Sequence, residues 1–272
     1  MEVQHEQTAG GKVADGRAMR RKVPVWLFAL PRLVFKLWFV LVFLLSMLLL
    51  YLPFKVLLRR PSRYPAAFKL MRAWATFLNV FLLVPVSVRR EAPLPPQPYV
   101  VCMNHGSYLD IIHAFNVLPD YFLFMGKYEL LRWPLFRIFF KGMHIAVNRG
   151  SRTSAARAFL KAGQALDRGV SVCIFPEGTI PYSVPRMKSF KDGAFRLAVE
   201  KQVPILPITF LDNWRLFGDP ETLLSRGHPG RARVVVHAAV PTKGLGPEDI
   251  GNLRRRVFEA IEGPLRGEFP NS

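Results

Sequence analysis

Cysteine is scarce: the 272 residues hold two, Cys102 and Cys173, each inside an apolar run. Two such positions form no disulfide framework and no metal-ligand spacing, so they read as reduced core residues of a cytosol-facing protein without a metal site. Acidic residues are also few, 19 against 38 lysines and arginines, for a formal net charge of +19. That excess suits an anionic partner, either a lipid surface or a nucleic acid. The basic residues are scattered and lack the aromatic interleaving or recognition-helix pattern of nucleic-acid modules, which leaves an anionic bilayer surface. No internal repeat is present. No small-residue cleavage site follows the first apolar run and basic residues do, which argues against a cleaved signal peptide. Charge alone would also fit a basic protein that binds anionic lipid without catalysing a reaction.

What is present begins with residues 1–22, polar and ending in Arg20-Arg21-Lys22, expected to form a mobile basic arm. Residues 23–85 are apolar and punctuated. No charge occurs from Leu37 to Phe54, a run near the lower limit of about 17 to 25 residues for a bilayer span. Arg59, Arg60 and Arg63 then make a basic turn before a second apolar segment, Ala66 to Pro85. This predicts a membrane-associated helical pair. A spanning helix and a monotopic hairpin both fit, because Lys36 and Lys55 could snorkel to one headgroup layer. Basic flanks at both ends leave the positive-inside rule without a choice.

From residue 86 to 272 the pattern alternates between strand and helix. Strands are expected at Val86–Arg89, Tyr99–Met103, Tyr121–Met125, Met143–Val147, Val170–Phe175, Ile205–Leu211 and Arg233–Val240. Helices are expected at Ser151–Arg168, stopped by Gly169, at about 191–200, and after Gly246-Pro247, where Ile250, Leu253, Val257 and Ile261 share one face. The fold class is therefore α/β: a mixed, largely parallel sheet flanked by helices, preceded by the helical hairpin and closed by an amphipathic C-terminal helix.

Chemistry concentrates where strands end. Asn104-His105-Gly106-Ser107-Tyr108-Leu109-Asp110 follows the apolar run Tyr99–Met103, the position at which open α/β sheets place their ligands. On a continuous helix, residues five apart are rotated by roughly 140°, so His105 and Asp110 meet only if the chain turns at Gly106. If they do, Asp110 holds one imidazole nitrogen and the other is a general base. The same residues also fit a capping box, with Ser107 as cap and Asp110 reaching back. After the strand Val170–Phe175, Pro176 ends the run and Glu177-Gly178-Thr179 forms a loop. There a carboxylate could bind substrate hydroxyls or order amides facing an oxyanion, unless it is a plain solvated turn. Arg149 also projects from a strand end, beside the Ser151 helix, with a fork suited to phosphate. Lys188 and Lys191 lie just beyond the Glu177 loop. His113, one helical turn past Asp110, fits either a back-up to that pair or, more simply, a packed core imidazole.

Taken together, these stretches resemble the glycerolipid acyltransferase family, the 1-acyl-sn-glycerol-3-phosphate acyltransferases of the bacterial PlsC type. Asn104 to Asp110 matches the family's Asn-His-x-Ser-x-x-Asp in full, and Phe175 to Thr179 matches Phe-Pro-Glu-Gly-Thr in full. Gly142 and Arg149 meet the second motif, although Ala146-Val147-Asn148 departs from its usual aromatic and acidic residues. Val203-Pro204-Ile205 supplies the fourth, and in Phe190-Lys191-Asp192-Gly193, Asp192 stands where relatives often carry a basic residue. The resemblance implies a membrane-bound O-acyltransferase that moves an acyl chain from acyl-CoA or acyl-ACP to the sn-2 hydroxyl of lysophosphatidate. It implies His105 and Asp110 as the catalytic pair and Arg149, Glu177, Gly178, Thr179 and Lys191 as substrate-binding residues. It implies no cofactor besides the thioester, and a site on the cytoplasmic side of a bacterial inner membrane. The same chemistry on another lysolipid, such as a lyso-aminoacyl lipid, fits these residues as well.

Overall fold

The computed structural model describes residues 26–148, 150–218 and 225–270, so the expected basic arm and Arg149 lie outside the described residues. Seven strands form one sheet in the order β1-β7-β6-β2-β5-β3-β4. They are β1 (Val86–Arg90), β2 (Val100–Met103), β3 (Phe122–Lys127), β4 (Ile145–Val147), β5 (Ser171–Ile174), β6 (Ile205–Phe210) and β7 (Ala232–Val236). Every pairing is parallel except β6 with β7. The mixed, largely parallel sheet expected from the alternating pattern is the one observed.

The central strands β2, β5 and β6 are buried at every residue, as unbroken apolar runs must be when helices cover both faces of a sheet. Helices α1 (Trp26–Leu57), α2 (Tyr64–Phe81), α3 (Leu109–Val117) and α4 (Pro134–Lys141) pack with one another on one side. Helices α5 (Arg152–Asp167), α6 (Gly193–Lys201) and α8 (Ile250–Glu268) form the other layer, and the short α7 (Asn213–Leu216) follows β6. Helix α5 is capped by Ser151, which accepts from the Ser154 amide, and ends before Gly169, whose φ of +79° closes the turn. Leu253, Val257 and Ile261 of α8 enter the core as their spacing predicts.

The N-terminal pair shares the hydrophobic core of the sheet: Met47, Phe54 and Leu58 of α1 and its exit, with Ala67, Phe68, Met71 and Ala75 of α2, join that core. Outward, α1 exposes a stripe that includes Leu41, Leu44, Leu45, Leu48, Leu49 and Leu52. One expectation is corrected. Lys36 does not snorkel outward: it is buried, its ammonium bonds the Ser225 hydroxyl, and it lies 5.6 Å from the Phe217 ring centre. The helix presents that residue to the protein because its inward face must cover the loop around Phe217. Lys55, by contrast, is exposed.

Candidate active site

Three adjacent strand ends build the site. β2 is flanked by β5 and β6, with Val100 in register with Val172 on one side and Ile205 on the other. The segments leaving these strands therefore emerge side by side on one rim. β2 leads into His105, β5 into Glu177, and β6 into Asp212 and Asn213. Asn104 ties the first to the third: its side chain donates to the Phe210 carbonyl and accepts from the Phe210 amide, extending the sheet by one rung of side-chain bonding.

The chain turns between His105 and α3, and the two readings of Asp110 prove compatible. Asp110 Oδ2 lies 3.0 Å from His105 Nδ1 and also accepts from the amides of Gly106 and Ser107, each at 2.8 Å. Ser107 Oγ accepts from the Leu109 amide and donates to the Phe217 carbonyl. The carboxylate that caps the turn is thus the one that holds the imidazole. Asp110 is wholly buried, and His105 keeps 15 % of its side-chain exposure. A carboxylate accepts, so the neutral His105 tautomer that fits this contact has its proton on Nδ1 and Nε2 as the acceptor, with no partner among the described residues. Phe175 stacks on the ring at 4.0 Å and 17°, fixing its plane.

The remaining oxygen of Asp110 is held by a residue that sequence patterns did not single out. Asn213 Nδ2 donates to Asp110 Oδ1 at 2.8 Å, and Asn213 Oδ1 lies 3.0 Å from His113 Nδ1. A flipped amide would set its oxygen against the carboxylate, so the network fixes Asn213 and places the His113 proton on Nδ1. His113 is a buried imidazole linked to Asp110 through Asn213. Burial depresses its pKa to about 4 despite Asp110 nearby, keeping it neutral. Asn213 lies about a hundred residues downstream of Asp110; its one local signal is a polar cluster, Asp212-Asn213, at the end of an apolar run.

Glu177 is buried and bridges two segments, accepting from the His105 amide on one oxygen and the Lys188 amide on the other, both at 2.8 Å. Desolvation raises its pKa to about 7, opposed by those two amides and assisted by the nearby Asp110 charge. The amides of residues 105, 106, 107 and 188 all donate to carboxylates. Gly178 has a φ of +82°, and Lys191 covers it so closely that an added Cβ would lie 3.2 Å from its stem. The Lys191 amide donates to the Pro176 carbonyl, while Thr179 and the Lys191 side chain are exposed on the outer side of the turn.

A narrow cleft opens over the dyad, lined by Asn104, His105, Gly106 and Glu177 on the sheet side and by Arg186, Met187 and Trp214 opposite. Arg186 is the cation of this lining. Its signal was its place in the Pro-bounded stretch after Glu177, but loops of that kind carry no periodicity from which to read direction. The dyad can take a proton from a hydroxyl brought into the cleft, and Arg186 can neutralise an anionic group beside it. Among the described residues no group of three His, Cys, Asp or Glu is placed to hold a metal ion.

Residues 85–211, which carry the dyad and Glu177, match the family model described as Acyltransferase. The 1-acyl-sn-glycerol-3-phosphate acyltransferase alpha of Ovis aries is 35 % identical over 198 residues, covering 71 % of this chain and 67 % of the relative. The Homo sapiens protein of the same name is 34 % identical, covering 71 % and 68 %. In fold, the chain is similar to the crystal structure of the 1-acyl-sn-glycerophosphate acyltransferase PlsC from Thermotoga maritima. The TM-score is 0.70 at 23 % identity, over 90 % of this chain and 98 % of the other. Identity sustained over two thirds of those relatives means that this chain belongs to the acyltransferase family that includes the 1-acyl-sn-glycerol-3-phosphate acyltransferases.

Proposed function

We propose that the protein transfers an acyl chain from an acyl thioester, acyl-CoA or acyl-ACP, to the sn-2 hydroxyl of lysophosphatidate, giving phosphatidate. The observation that carries this reading is the His105–Asp110 pair with its tautomer fixed and Nε2 left to the cleft. His105 Nε2 takes the hydroxyl proton as the oxygen attacks the thioester carbonyl carbon. Collapse of the tetrahedral intermediate breaks the carbon–sulfur bond, and the leaving thiolate takes that proton back. The residues supply base, orientation and charge, and the reaction needs no cofactor beyond the thioester. A positioned base contributes on the order of 10² to 10⁴ in rate, and holding hydroxyl and thioester together contributes most of the rest. Arg186 and, by resemblance, Arg149 would bind the acceptor phosphate; Glu177 lines the cleft and orders both of its walls; Gly178, Thr179 and Lys191 shape the turn behind it.

We further propose that α1 lies along one leaflet rather than crossing the bilayer. By length and composition Ala29–Leu57 could span. Yet α1 packs against the protein from Lys36 through Phe54, with Phe39 on Phe217, Phe43 on Trp74 and Phe54 on Phe139. At 1.5 Å per residue that contact runs about 27 Å, leaving too little free helix to cross a core about 30 Å thick. The exposed leucine stripe then enters the lipid from which the acceptor is drawn. Buried thiols and a basic surface favour the cytoplasmic face of an inner membrane.

The test is turnover of purified protein with lysophosphatidate and a panel of lyso-aminolipids. His105→Ala should lose at least about 10²-fold in kcat with folding intact. Asp110→Asn should lose turnover and also about 1 to 3 kcal/mol of stability, because its new amide group faces donors. Full turnover in His105→Ala, or inactivity on every phosphate-bearing acceptor, would defeat the assignment.

A further inference from the structure

The segment between β3 and β4 is not used by the chemistry above, and its two sides differ in character. On the inner side of α4, Phe136 stacks on Phe43 of α1 at 5.9 Å, Phe139 meets Phe54 at 5.0 Å, and Phe140 meets His144 at 5.7 Å. Phe140 also presses on Gly126, where an added Cβ would fall 2.5 Å from its ring. The inner side is therefore locked to α1 and to the end of β3. On the outer side Trp133 is 65 % exposed and Tyr128 47 %, beside the exposed cations Lys127, Arg132, Arg137 and Lys141, with Glu129 the one acid in that stretch.

Position gives this surface its meaning. β3 is parallel to β5, which is parallel to β2, so the residues leaving β3 stand on the same rim as His105 and Glu177. The segment is also fixed to α1, because Phe136 and Phe139 of α4 pack on Phe43 and Phe54. Tryptophan and tyrosine with basic residues between them are the composition of a membrane–water interface, where amphipathic rings sit at headgroup depth and cations meet anionic lipid.

We propose that residues 127–141 form a second membrane-contacting surface, an aromatic and basic rim that seats on the headgroups of an anionic bilayer and fixes the height of the His105 cleft above it. The inference rests on the reading that α1 lies in the bilayer. It adds what one helix does not supply: a helix in a leaflet is free to roll about its axis, and a second contact off that axis stops the roll. The lysolipid hydroxyl, near headgroup depth, then arrives at the height of Nε2.

Both native cysteines are buried, so one introduced cysteine takes a thiol-reactive, polarity-sensitive dye selectively. Full-length Trp133→Cys, Leu48→Cys and Arg256→Cys proteins would each be labelled and bound to phosphatidylglycerol vesicles. Emission at 133 should rise several-fold and be quenched by headgroup-proximal spin labels, emission at 48 by acyl-chain labels, and emission at 256 by neither. A dye at 133 that stays aqueous while the dye at 48 is immersed overturns the rim and leaves the membrane reading standing. If neither is immersed, both fall. As a kinetic arm, Tyr128→Ala/Trp133→Ala should raise KM for vesicle-borne lysophosphatidate about tenfold with kcat unchanged, and leave KM for a short-chain soluble acceptor unaltered. Equal KM for the vesicle-borne acceptor in variant and parent also overturns the proposal.

Discussion

At the scale of single residues the site is a problem in lone pairs. Asp110 receives four donors, from His105, Gly106, Ser107 and Asn213, and this saturation holds a wholly buried carboxylate in place. Asn213→Asp would set a second carboxylate against the first, and two so close cannot both ionise. Steady-state kinetics should show kcat reduced by about 10² or more with KM for the acceptor little changed, since the base is impaired and the cleft is not. Glu177 offers a pH test. Its carboxyl is raised from 4.5 to about 7, so the folded state holds a proton that the unfolded chain releases. Its contribution is complete below about pH 4.5 and is lost as pH rises through 7. Relative to Glu177→Gln, the native protein should lose on the order of 3 kcal/mol of unfolding free energy between pH 4.5 and 7. Denaturant unfolding of both proteins across that range would measure it. His113 and His144, depressed by burial to about 4 and about 3, titrate in both and cancel.

Elements place these residues, and their ends carry the strain. Gly169 at φ +79°, closing α5, and Gly178 at +82°, leaving β5, both have a left-handed backbone. A Cβ at Gly169 meets nothing, whereas one at Gly178 meets the Lys191 stem at 3.2 Å. Gly169→Ala should therefore cost the conformational penalty alone, about 1 to 2 kcal/mol. Gly178→Ala should cost more and also disturb the loop that orders Glu177. Paired thermal denaturation and kcat measurements check this: equal stability losses, or an unimpaired Gly178→Ala enzyme, would show that Lys191 yields freely.

Over the whole molecule, the balance is between the apolar face that α1 exposes and a core that belongs to the sheet. Leu48 and Leu49 are 68 % and 78 % exposed on α1, so replacing them should leave the fold intact. Placing a lysine at both costs about 2.5 to 3.5 kcal/mol each at hydrocarbon depth. Leu48→Lys/Leu49→Lys should move the protein from the floated fraction to the soluble one in a vesicle flotation assay, with its circular dichroism unchanged. Retention on the vesicles would mean that this stripe does not enter the lipid.

The local sequence sufficed wherever the determinant was local. Period and punctuation located all seven strands, the alternation of strand and helix pointed to a sheet flanked by helices, and the turn chemistry of Gly106, Gly169 and Gly178 marked where elements stop. Two stretches placed His105 and Glu177 at strand ends, because a carboxylate or imidazole directly after a buried strand has to emerge at the rim. What the linear chain could not convey was adjacency between distant segments. Only the folded sheet, by setting β6 beside β2, brought Asn213 to Asp110; only the route of the Pro-bounded loop brought Arg186 over the dyad; and only packing turned Lys36 inward. Each depends on contacts between residues far apart in sequence, where neither helical nor strand period carries information and burial is decided by the tertiary neighbour.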